Sequence, residues 1–271
     1  MNSKIREIQL ECLKILDITH RICVENAIQY SLCGGSVVGA HLYKGCLPWD
    51  DDIDIMMTRE NYNKFLKVAP SLLPKGLSIY NYHVIENPSN GITKIINDNT
   101  TYVEANGHVF GLFLDITVYD KIPINRFSRW IDMFLFKRLL TVTKGKMEGN
   151  SLKNKLRSLM IDWILPCPKK YLKLFEQIVV LLGNHASSYT YSELFGAWAQ
   201  TISYRPSVFE NYTMIEFEGK EYMIVRDYVE YLTTRYNRTD FHEPKEKQVP
   251  PHIVYFDTSL PYRDYLKQHN E

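Results

Sequence analysis

The chain has 271 residues, of which 45% are hydrophobic and 23% charged, and its formal net charge is +1. These values are ordinary for a soluble globular protein with a large core, and they exclude the disordered class. Five cysteines without a Cys-x-x-Cys pair indicate neither a disulfide framework nor a zinc site, so a reducing cytoplasm is the expected compartment. No apolar run reaches the length of a signal-peptide core or a membrane span.

The first predicted elements are a helix, a short strand and a turn of small residues. Residues 3–29 carry isoleucine and cysteine at helical spacing, which predicts an amphipathic helix that packs on a sheet and has no chemical role. A strand at 31–33 then leads into Gly34-Gly35-Ser36 and a second helix. Small residues at such a junction let backbone N–H groups approach a phosphate, and the helix N-terminus adds positive potential. A plain turn is the alternative.

Four aspartates occur within residues 50–54, directly before an apolar run. Because side chains alternate along a strand, Asp52 and Asp54 are predicted to share one face of a strand over 52–57. Two adjacent carboxylates beside a buried surface require a divalent cation or a shared proton, and Mg²⁺ suits carboxylate and phosphate oxygens. A solvated acidic turn is the alternative. A calcium-binding EF-hand is excluded, because Ile55 and Asn61 occupy the positions that need Gly and Glu.

The next segment predicts a mixed sheet. Thr58 is a predicted helix N-cap, and the helix that follows is expected to end at Pro70. Strands are predicted at 77–84, 91–96, 101–104 and 112–119, with a turn at Asn106-Gly107 between the last two. Together with the earlier strands they predict an α/β (α+β) fold in which one mixed sheet is flanked by helices.

Two charged residues interrupt these apolar strands. Asp115 lies within the strand 112–119, where a buried carboxylate without a partner would be costly, so it should face a cation or hydrogen-bond donors. Asp120, at the end of that strand, is the alternative acid. Lys94 lies in the middle of the strand 91–96, where lysine is uncommon, so it either contacts a phosphate or marks an edge strand.

A basic segment follows. Residues 121–173 contain thirteen Lys and Arg and three acids, and helical patterns occur at 126–142 and 151–182. Aromatic and basic residues interleave in the first pattern, which suits the surface of an anionic membrane. A helical lobe with a solvated basic face is the alternative.

The last third predicts a hairpin, a helix and a loop. Strands at 212–217 and 222–224 flank a turn at Glu218-Gly219-Lys220, and a helix is predicted over 226–236. Asn237 follows the helix and tolerates a left-handed conformation. The tail contains His242 and His252, whose roles the sequence leaves open, and it is expected to form an ordered loop.

Two blocks of the sequence resemble the hallmark of the LicD family of phosphorylcholine transferases and of the related fukutin-type sugar phosphotransferases. They are Gly35-Ser36-Val37-Val38-Gly39-Ala40 and Lys44-Gly45-Cys46-Leu47-Pro48-Trp49-Asp50-Asp51-Asp52-Ile53-Asp54-Ile55. The carboxy-terminal hairpin turn and helix also resemble the family pattern. The resemblance implies a nucleotidyltransferase-like catalytic core at 1–125, an added basic helical lobe at 126–200, and a C-terminal part at 201–271 that packs back on the core.

The resemblance also implies a reaction in which phosphocholine moves from CDP-choline to a sugar hydroxyl and CMP is released. The donor could also be a similar nucleotide-activated alcohol. The acceptor would be a lipid-linked glycan, either a lipopolysaccharide precursor or a teichoic acid precursor. The metal would be Mg²⁺ or Mn²⁺, held by the three acids that also carry catalysis: Asp52, Asp54 and Asp115. Substrate would be bound by Gly35, Ser36, Lys94, Trp49 and Tyr43. Tyr102 and Tyr119 are further aromatic candidates around a quaternary ammonium. The expected location is the cytoplasm, in peripheral contact with the inner face of an anionic membrane, and no nucleic acid is expected.

The chain departs from the family pattern at two places. Leu42 stands where family members usually carry Arg, and Ile224-Val225 lacks a frequent Pro. The first difference leaves the donor open. The alternative functions are a nucleotidyltransferase acting on a small molecule or RNA, and a catalytically silent scaffold that binds a glycan or a nucleotide.

Overall fold

A computed structural model describes residues 3–81, 92–104, 107–125, 168–194, 202–243 and 253–269. The chain forms two compact units: the first comprises Met1–Tyr80, Thr93–Val118 and Ser207–Glu271, and the second comprises Asn81–Ile92 and Tyr119–Pro206. The three-part division predicted from the sequence stays a prediction. Among the described residues, no helix combines the length and apolarity needed to cross a bilayer.

The described helices and strands follow the chain in this order. The helices are α1 Ser3–Glu25, α2 Gly34–Tyr43, α3 Arg59–Leu72, α4 Pro168–Asn184, α5 Tyr228–Tyr236 and α6 Tyr262–His269. The strands are β1 Ser31–Leu32, β2 Asp54–Thr58, β3 Leu77–Tyr80, β4 Thr93–Asn97, β5 Thr101–Glu104, β6 Val109–Phe110, β7 Phe113–Pro123, β8 Tyr189–Glu193, β9 Tyr212–Phe217, β10 Lys220–Val225 and β11 Ile253–Asp257. This mixture of helices and sheets confirms the predicted α/β class.

The main sheet of the first unit has the order β1-β2-β7-β4-β3. Its apolar side chains form the core: Ile53 and Ile55 are fully buried, as the alternation with the aspartates predicted. The helix α1 buries the apolar stripe that includes Ile8 and Ile15, which confirms its amphipathic pattern. The strand β7 contributes its first six residues to this unit, so the middle of the sheet carries Asp115.

Several predicted boundaries shift by a few residues. The helix α3 begins after the N-cap Thr58, as predicted, but continues past Pro70 to Leu72. Proline lacks an N–H group and so removes only the hydrogen bond to the preceding turn, which the end of a helix tolerates. The strand β2 begins at Asp54 rather than at residue 52, so the acidic residues before it form an extended loop.

The prediction that residues 101–104 belong to the main sheet is wrong. The strand β5 lies in a second sheet of order β11-β5-β6. Gly107 of the predicted turn has φ +85°, whereas Asn106 lies outside the described residues, and the strand that follows is the two-residue β6 instead of β7. Most of the loop predicted around His242 and His252 lies outside the described residues, and it is followed by β11 and α6, which the sequence did not predict. Strands as short as β6 carry no readable alternation, because the period of two needs several residues to show.

The C-terminal hairpin confirms its prediction. The strands β9 and β10 pair antiparallel with Phe217 opposite Lys220. The two residues between them, Glu218 and Gly219, have φ of +51° and +75°. Two consecutive positive φ values are those that a tight hairpin with right-handed twist requires.

Asn237 terminates α5 in the left-handed conformation, with φ +50° and ψ +38°, as predicted. We expect Asn237→Ala to lower the free energy of unfolding by about 1 kcal/mol, because a side chain with a Cβ is strained there unless it is Asn or Asp. Asn237→Gly is expected to change it by only a few tenths of a kcal/mol. Urea unfolding of both variants measures the difference, and equal losses would contradict the backbone explanation.

The second unit contains the end of β7, which pairs with β8, and the helix α4. The backbone of β7 approaches α4 closely: a Cβ on Gly183 would lie 2.1 Å from the carbonyl oxygen of Lys121. Tyr119 is fully buried and donates a 2.7 Å hydrogen bond to Glu193. The predicted helix at 126–142, the first part of that at 151–182, and most of the basic segment lie outside the described residues.

Candidate active site

Backbone hydrogen bonds in the first unit join three segments that are distant in sequence. The N–H of Cys33, just before α2, donates to the carbonyl of Asp54 (2.9 Å), and the N–H of Asp115 on β7 donates to the carbonyl of Ile53 (3.2 Å). The N–H of Asp54 donates to the hydroxyl oxygen of Ser36 (2.9 Å). The Gly-Ser turn, the acidic loop and the middle of β7 are therefore neighbours.

Four carboxylates, those of Asp50, Asp52, Asp54 and Asp115, form what we call the acid cluster. Burial raises the pKa of Asp54 well above its usual value, and the charges of the other three raise it further. Burial likewise raises the pKa of Asp50, with added repulsion from Asp52. The pKa of Asp115 is raised to about 6, mainly by burial. The three acids predicted from the sequence are thus electrostatic neighbours, and Asp50 is a fourth that sequence reasoning left without a role.

The donor set of this loop fits a hard divalent cation. Oxygen atoms of Asp50, Asp51 and Asp52 all lie within 4.8 Å of one another. Like charges at this spacing repel strongly when they are partly removed from water, and a divalent cation relieves the repulsion. Mg²⁺ and Mn²⁺ prefer such all-oxygen donors. Asp51 also accepts a 2.9 Å hydrogen bond from Tyr102, which orients that carboxylate.

Lys94 is a buried partner of the acid cluster. Its ammonium group donates to both oxygens of Asp115, at 2.7 and 3.0 Å, and lies 3.6 Å from the centre of the Phe113 ring. Only 3% of Lys94 is exposed. The strand β4 that carries it pairs with β3 on one side and β7 on the other, so the edge-strand interpretation is wrong. Lys94 offsets one negative charge of the cluster.

Arg235 is a second cation that sequence reasoning missed. A Cβ on Gly34 would lie 3.6 Å from both the Arg235 guanidinium and the Asp54 carboxylate, so these two groups flank the start of α2. The positive charge of Arg235 lowers the pKa of Asp54 against the effect of burial. Tyr231, on the same helix α5, accepts the Gly34 N–H at 3.1 Å.

The predicted aromatic residues divide into two groups. Tyr43 is 42% exposed, and its ring meets the ring of Trp49 edge to face, with 6.1 Å between the ring centroids. Trp49 directly precedes Asp50 of the acid cluster. Tyr102 and Tyr119 are buried, and their hydroxyl groups donate to carboxylates. Burial therefore excludes these last two from an accessible aromatic surround. His242 is exposed and bonded to Asp240, and His252 lies outside the described residues.

Gly35 provides the space for the acid cluster. A Cβ at this position would lie 2.6 Å from the Oδ2 atom of Asp50. We expect Gly35→Ala to displace that carboxylate and to weaken Mn²⁺ binding about tenfold or more, with the fold intact because a side chain can move. Isothermal calorimetry measures the affinity.

Gly107→Ala is the matched control for this prediction. Nothing lies within 4 Å of a Cβ at Gly107, but its φ of +85° makes a side chain strained. This control should lower stability without changing Mn²⁺ affinity. An unchanged affinity in Gly35→Ala would contradict the steric account.

Comparison with known proteins identifies the family of the chain. The LicD lipopolysaccharide cholinephosphotransferase of Haemophilus influenzae is 31% identical over 271 aligned positions, covering 92% of this chain and 96% of that protein. The chain belongs to the LicD family. A family model described as the LicD/FKTN/FKRP nucleotidyltransferase domain matches residues 27–137. An uncharacterized protein of Rickettsia typhi is 30% identical over 70 residues, 26% of this chain and 23% of that protein.

Part of the candidate active site lies within the range matched by the family model, and part lies outside it. The matched residues 27–137 contain the Gly-Ser turn, the acid cluster and Lys94. Arg235 and Tyr231 lie outside that range, on α5. The site therefore combines the family domain with residues of α5.

Proposed function

We propose that this protein transfers phosphocholine from CDP-choline to a sugar hydroxyl of a lipid-linked glycan and releases CMP, with Mg²⁺ or Mn²⁺ bound. The name of the Haemophilus influenzae relative supports the transferred group and the lipopolysaccharide class of acceptor. A teichoic acid precursor is the other acceptor that the proposal allows. The observation that carries the proposal is the convergence of the acid cluster with Ser36 and Arg235 at the start of α2.

Asp52 and Asp54, joined by Asp50, whose oxygen lies within 4.8 Å of that of Asp52, would hold the metal ion, which neutralises charge on the diphosphate. This assignment is supported by the raised pKa values of Asp50 and Asp54, since crowded buried carboxylates gain most from a cation. Asp115, the third ligand that the resemblance implies, would serve as a base instead, because both of its oxygens accept hydrogen bonds from Lys94.

The Ser36 hydroxyl hydrogen and the N–H of Gly35 would bind a phosphate oxygen. The N–H groups of Gly34 and Ser36 already donate to the Tyr231 hydroxyl and to the carbonyl of Cys33. Arg235 would contact the same phosphates, because its guanidinium flanks Gly34.

In the proposed reaction, the sugar hydroxyl oxygen forms a bond to the phosphorus of the phosphocholine group. The bond from that phosphorus to the bridging oxygen breaks, and the bridging oxygen leaves with CMP. Asp115 would accept the hydroxyl proton: a pKa of about 6 is close to what a general base needs near neutral pH. Lys94 would keep Asp115 ionised and oriented by donating to both of its oxygens.

Tyr43 and Trp49 would receive the choline end of the donor. Aromatic faces attract a quaternary ammonium, and these two rings are accessible and next to the acidic loop. Leu42 stands where family members usually carry Arg, so in this protein Arg235 would contribute a compensating positive charge.

Product analysis tests the proposal. The purified protein would be incubated with Mg²⁺ and either a mixture of nucleoside triphosphates or CDP-choline plus an acceptor free of phosphocholine, in separate reactions a lipopolysaccharide and a teichoic acid precursor. Release of CMP with incorporation of phosphocholine is the expected result. Release of pyrophosphate would instead support a nucleotidyltransferase acting on a small molecule or RNA. Binding without either product would support a catalytically silent scaffold and overturn the proposal.

A lipid-linked acceptor would bring the protein to a membrane surface. We propose peripheral contact of the basic segment 121–173 with anionic lipid on the cytoplasmic face. Sedimentation with vesicles containing phosphatidylglycerol tests this at low and at physiological salt. Absence of binding at low salt would support the alternative of a solvated helical lobe.

A further inference from the structure

The helix α1 contacts the acidic loop through one fully buried polar side chain, Gln9. Its amide nitrogen donates to the carbonyl of Leu47 at 2.9 Å and to the carbonyl of Asp50 at 2.8 Å. The N–H of Asp50 also donates to the carbonyl of Leu47 at 3.1 Å, which closes a turn over residues 47–50. Gln9 thus binds both ends of the turn that leads into the acid cluster.

The orientation of the Gln9 amide is fixed by its neighbours. Arg6 donates to the Gln9 oxygen at 3.2 Å, and arginine can only donate hydrogen bonds. The carbonyls of Leu47 and Asp50 can only accept them. One orientation of the amide satisfies all three partners, with its oxygen toward Arg6 and both hydrogens toward the turn.

Arg6 is itself held by the C-terminal hairpin. It donates to both oxygens of Glu218, at 3.0 and 2.6 Å, and Glu218 also accepts the N–H of Cys46 at 2.9 Å. Partial burial acts to raise the pKa of Glu218, but the bonds from Arg6 and Cys46 outweigh it and hold the pKa below its usual value. The carboxylate therefore stays ionised and keeps Arg6 in place at neutral pH.

We propose that Gln9 is a positioning residue for the transferase site: it fixes the turn 47–50 so that the Asp50 carboxylate lies against Gly35 and beside Asp52. The inference rests on the proposed function, since it assigns the acid cluster a metal. It gives α1, for which sequence reasoning predicted no chemical role, a specific task. Trp49 lies within the same turn, so its position depends on Gln9 as well.

The first test is metal binding by Gln9→Leu, which keeps the size of the side chain and removes the amide. We expect the Mn²⁺ dissociation constant to rise about 10- to 100-fold, the range found when groups supporting metal ligands are lost. We also expect kcat to fall more than KM for CDP-choline rises, because the acidic loop acts mainly in the transition state. Gln9→Glu keeps the acceptor that faces Arg6 but loses both N–H donors to the turn, so it should be similarly impaired.

A double-variant cycle separates positioning from general stability. If Gln9 acts through Asp50, then Gln9→Leu should cost little further Mn²⁺ affinity in an Asp50→Asn background. The matched control is Thr19→Val on the same helix, because Thr19 is fully buried and its hydroxyl donates to the carbonyl of Ile15 at 2.8 Å. Thr19→Val should lower the melting temperature without changing the Mn²⁺ affinity.

Hydrogen exchange distinguishes failure of this inference from failure of the proposed function. In Gln9→Leu, the amides of residues 47–54 should exchange at least tenfold faster than in the parent, whereas Thr19→Val should leave them unchanged. Unchanged exchange in Gln9→Leu overturns the inference, whatever the activity is. Faster exchange in a protein whose parent neither binds Mn²⁺ nor releases CMP supports the role of Gln9 in holding the turn and overturns the proposed function alone.

Discussion

Replacing Asp54 with asparagine is expected to lower CMP release on the order of 10³-fold while making the metal-free fold more stable. The raised pKa of Asp54 means that its ionised form is disfavoured by burial and by three neighbouring carboxylates. A neutral amide of the same shape removes that repulsion, so unfolding should require about 1 kcal/mol more at neutral pH. Saturating Mg²⁺ should reverse the order, because only the parent gains from binding. Calorimetric melting with and without Mg²⁺ measures both effects.

Asp98→Asn is the matched control for this variant. Asp98 is also an acid of the first unit, but its described partners are Ser78 and Arg263. It should keep the parent activity and the parent response to Mg²⁺. If Asp54→Asn turned over CDP-choline at the parent rate, the metal site would have to be abandoned.

Replacing Lys94 with methionine is expected to lower the free energy of unfolding by about 3–5 kcal/mol at pH 8, because it leaves a buried carboxylate without its cation. The loss should be smaller at pH 5. The pKa of Asp115 is already raised to about 6 beside Lys94, and it rises further when Lys94 is removed. Since the folded pKa then lies above the unfolded value, protonation favours the folded state, and stability falls as the pH rises through the folded pKa. Urea unfolding at the two pH values measures the difference.

Two comparisons make the Lys94 prediction specific. The double variant Lys94→Met, Asp115→Asn should recover much of the lost stability, because both charges are gone. Lys121→Met removes another strand lysine, which lies 4.8 Å from the Tyr189 ring but is only half-buried, and should cost less than about 1 kcal/mol. A loss that is the same at pH 5 and pH 8, or a double variant as unstable as Lys94→Met, would contradict the ion-pair explanation.

The local features of this fold could be predicted because each depends on a few adjacent residues. Thr58 occupies the N-cap position of α3 with an extended backbone but without a side-chain capping bond, Gly219 adopts the positive φ of the hairpin turn, and Asn237 ends α5. Each of these depends on conformational preferences that act within one turn of chain. The burial of Ile53 and Ile55 followed from alternation alone. The acidic loop was recognisable because four carboxylates beside an apolar strand have few structural explanations.

The partners of the site could not be predicted, because they depend on register and on long-range packing. Lys94 lies directly opposite Asp115 in the pairing of β4 with β7, and no period in the sequence fixes that register. Arg235 is a basic residue in the last turn of a helix, where a favourable interaction with the helix dipole is sufficient explanation. The contacts of Gln9 could not be predicted either, because a polar residue on an amphipathic helix is normally solvated.

The start of α2 depends on groups that are made much later during translation. Gly34 is held by the hydroxyl of Tyr231, and the loop at Cys46 by the carboxylate of Glu218. Ribosomes add roughly 5–20 residues per second, so a nascent polypeptide exposes residues 27–137 well before these contacts can form. We expect that nascent chain to lack an ordered turn at residues 34–36, and a premature stop codon ahead of the hairpin to yield an inert product even though the whole matched domain has been synthesised.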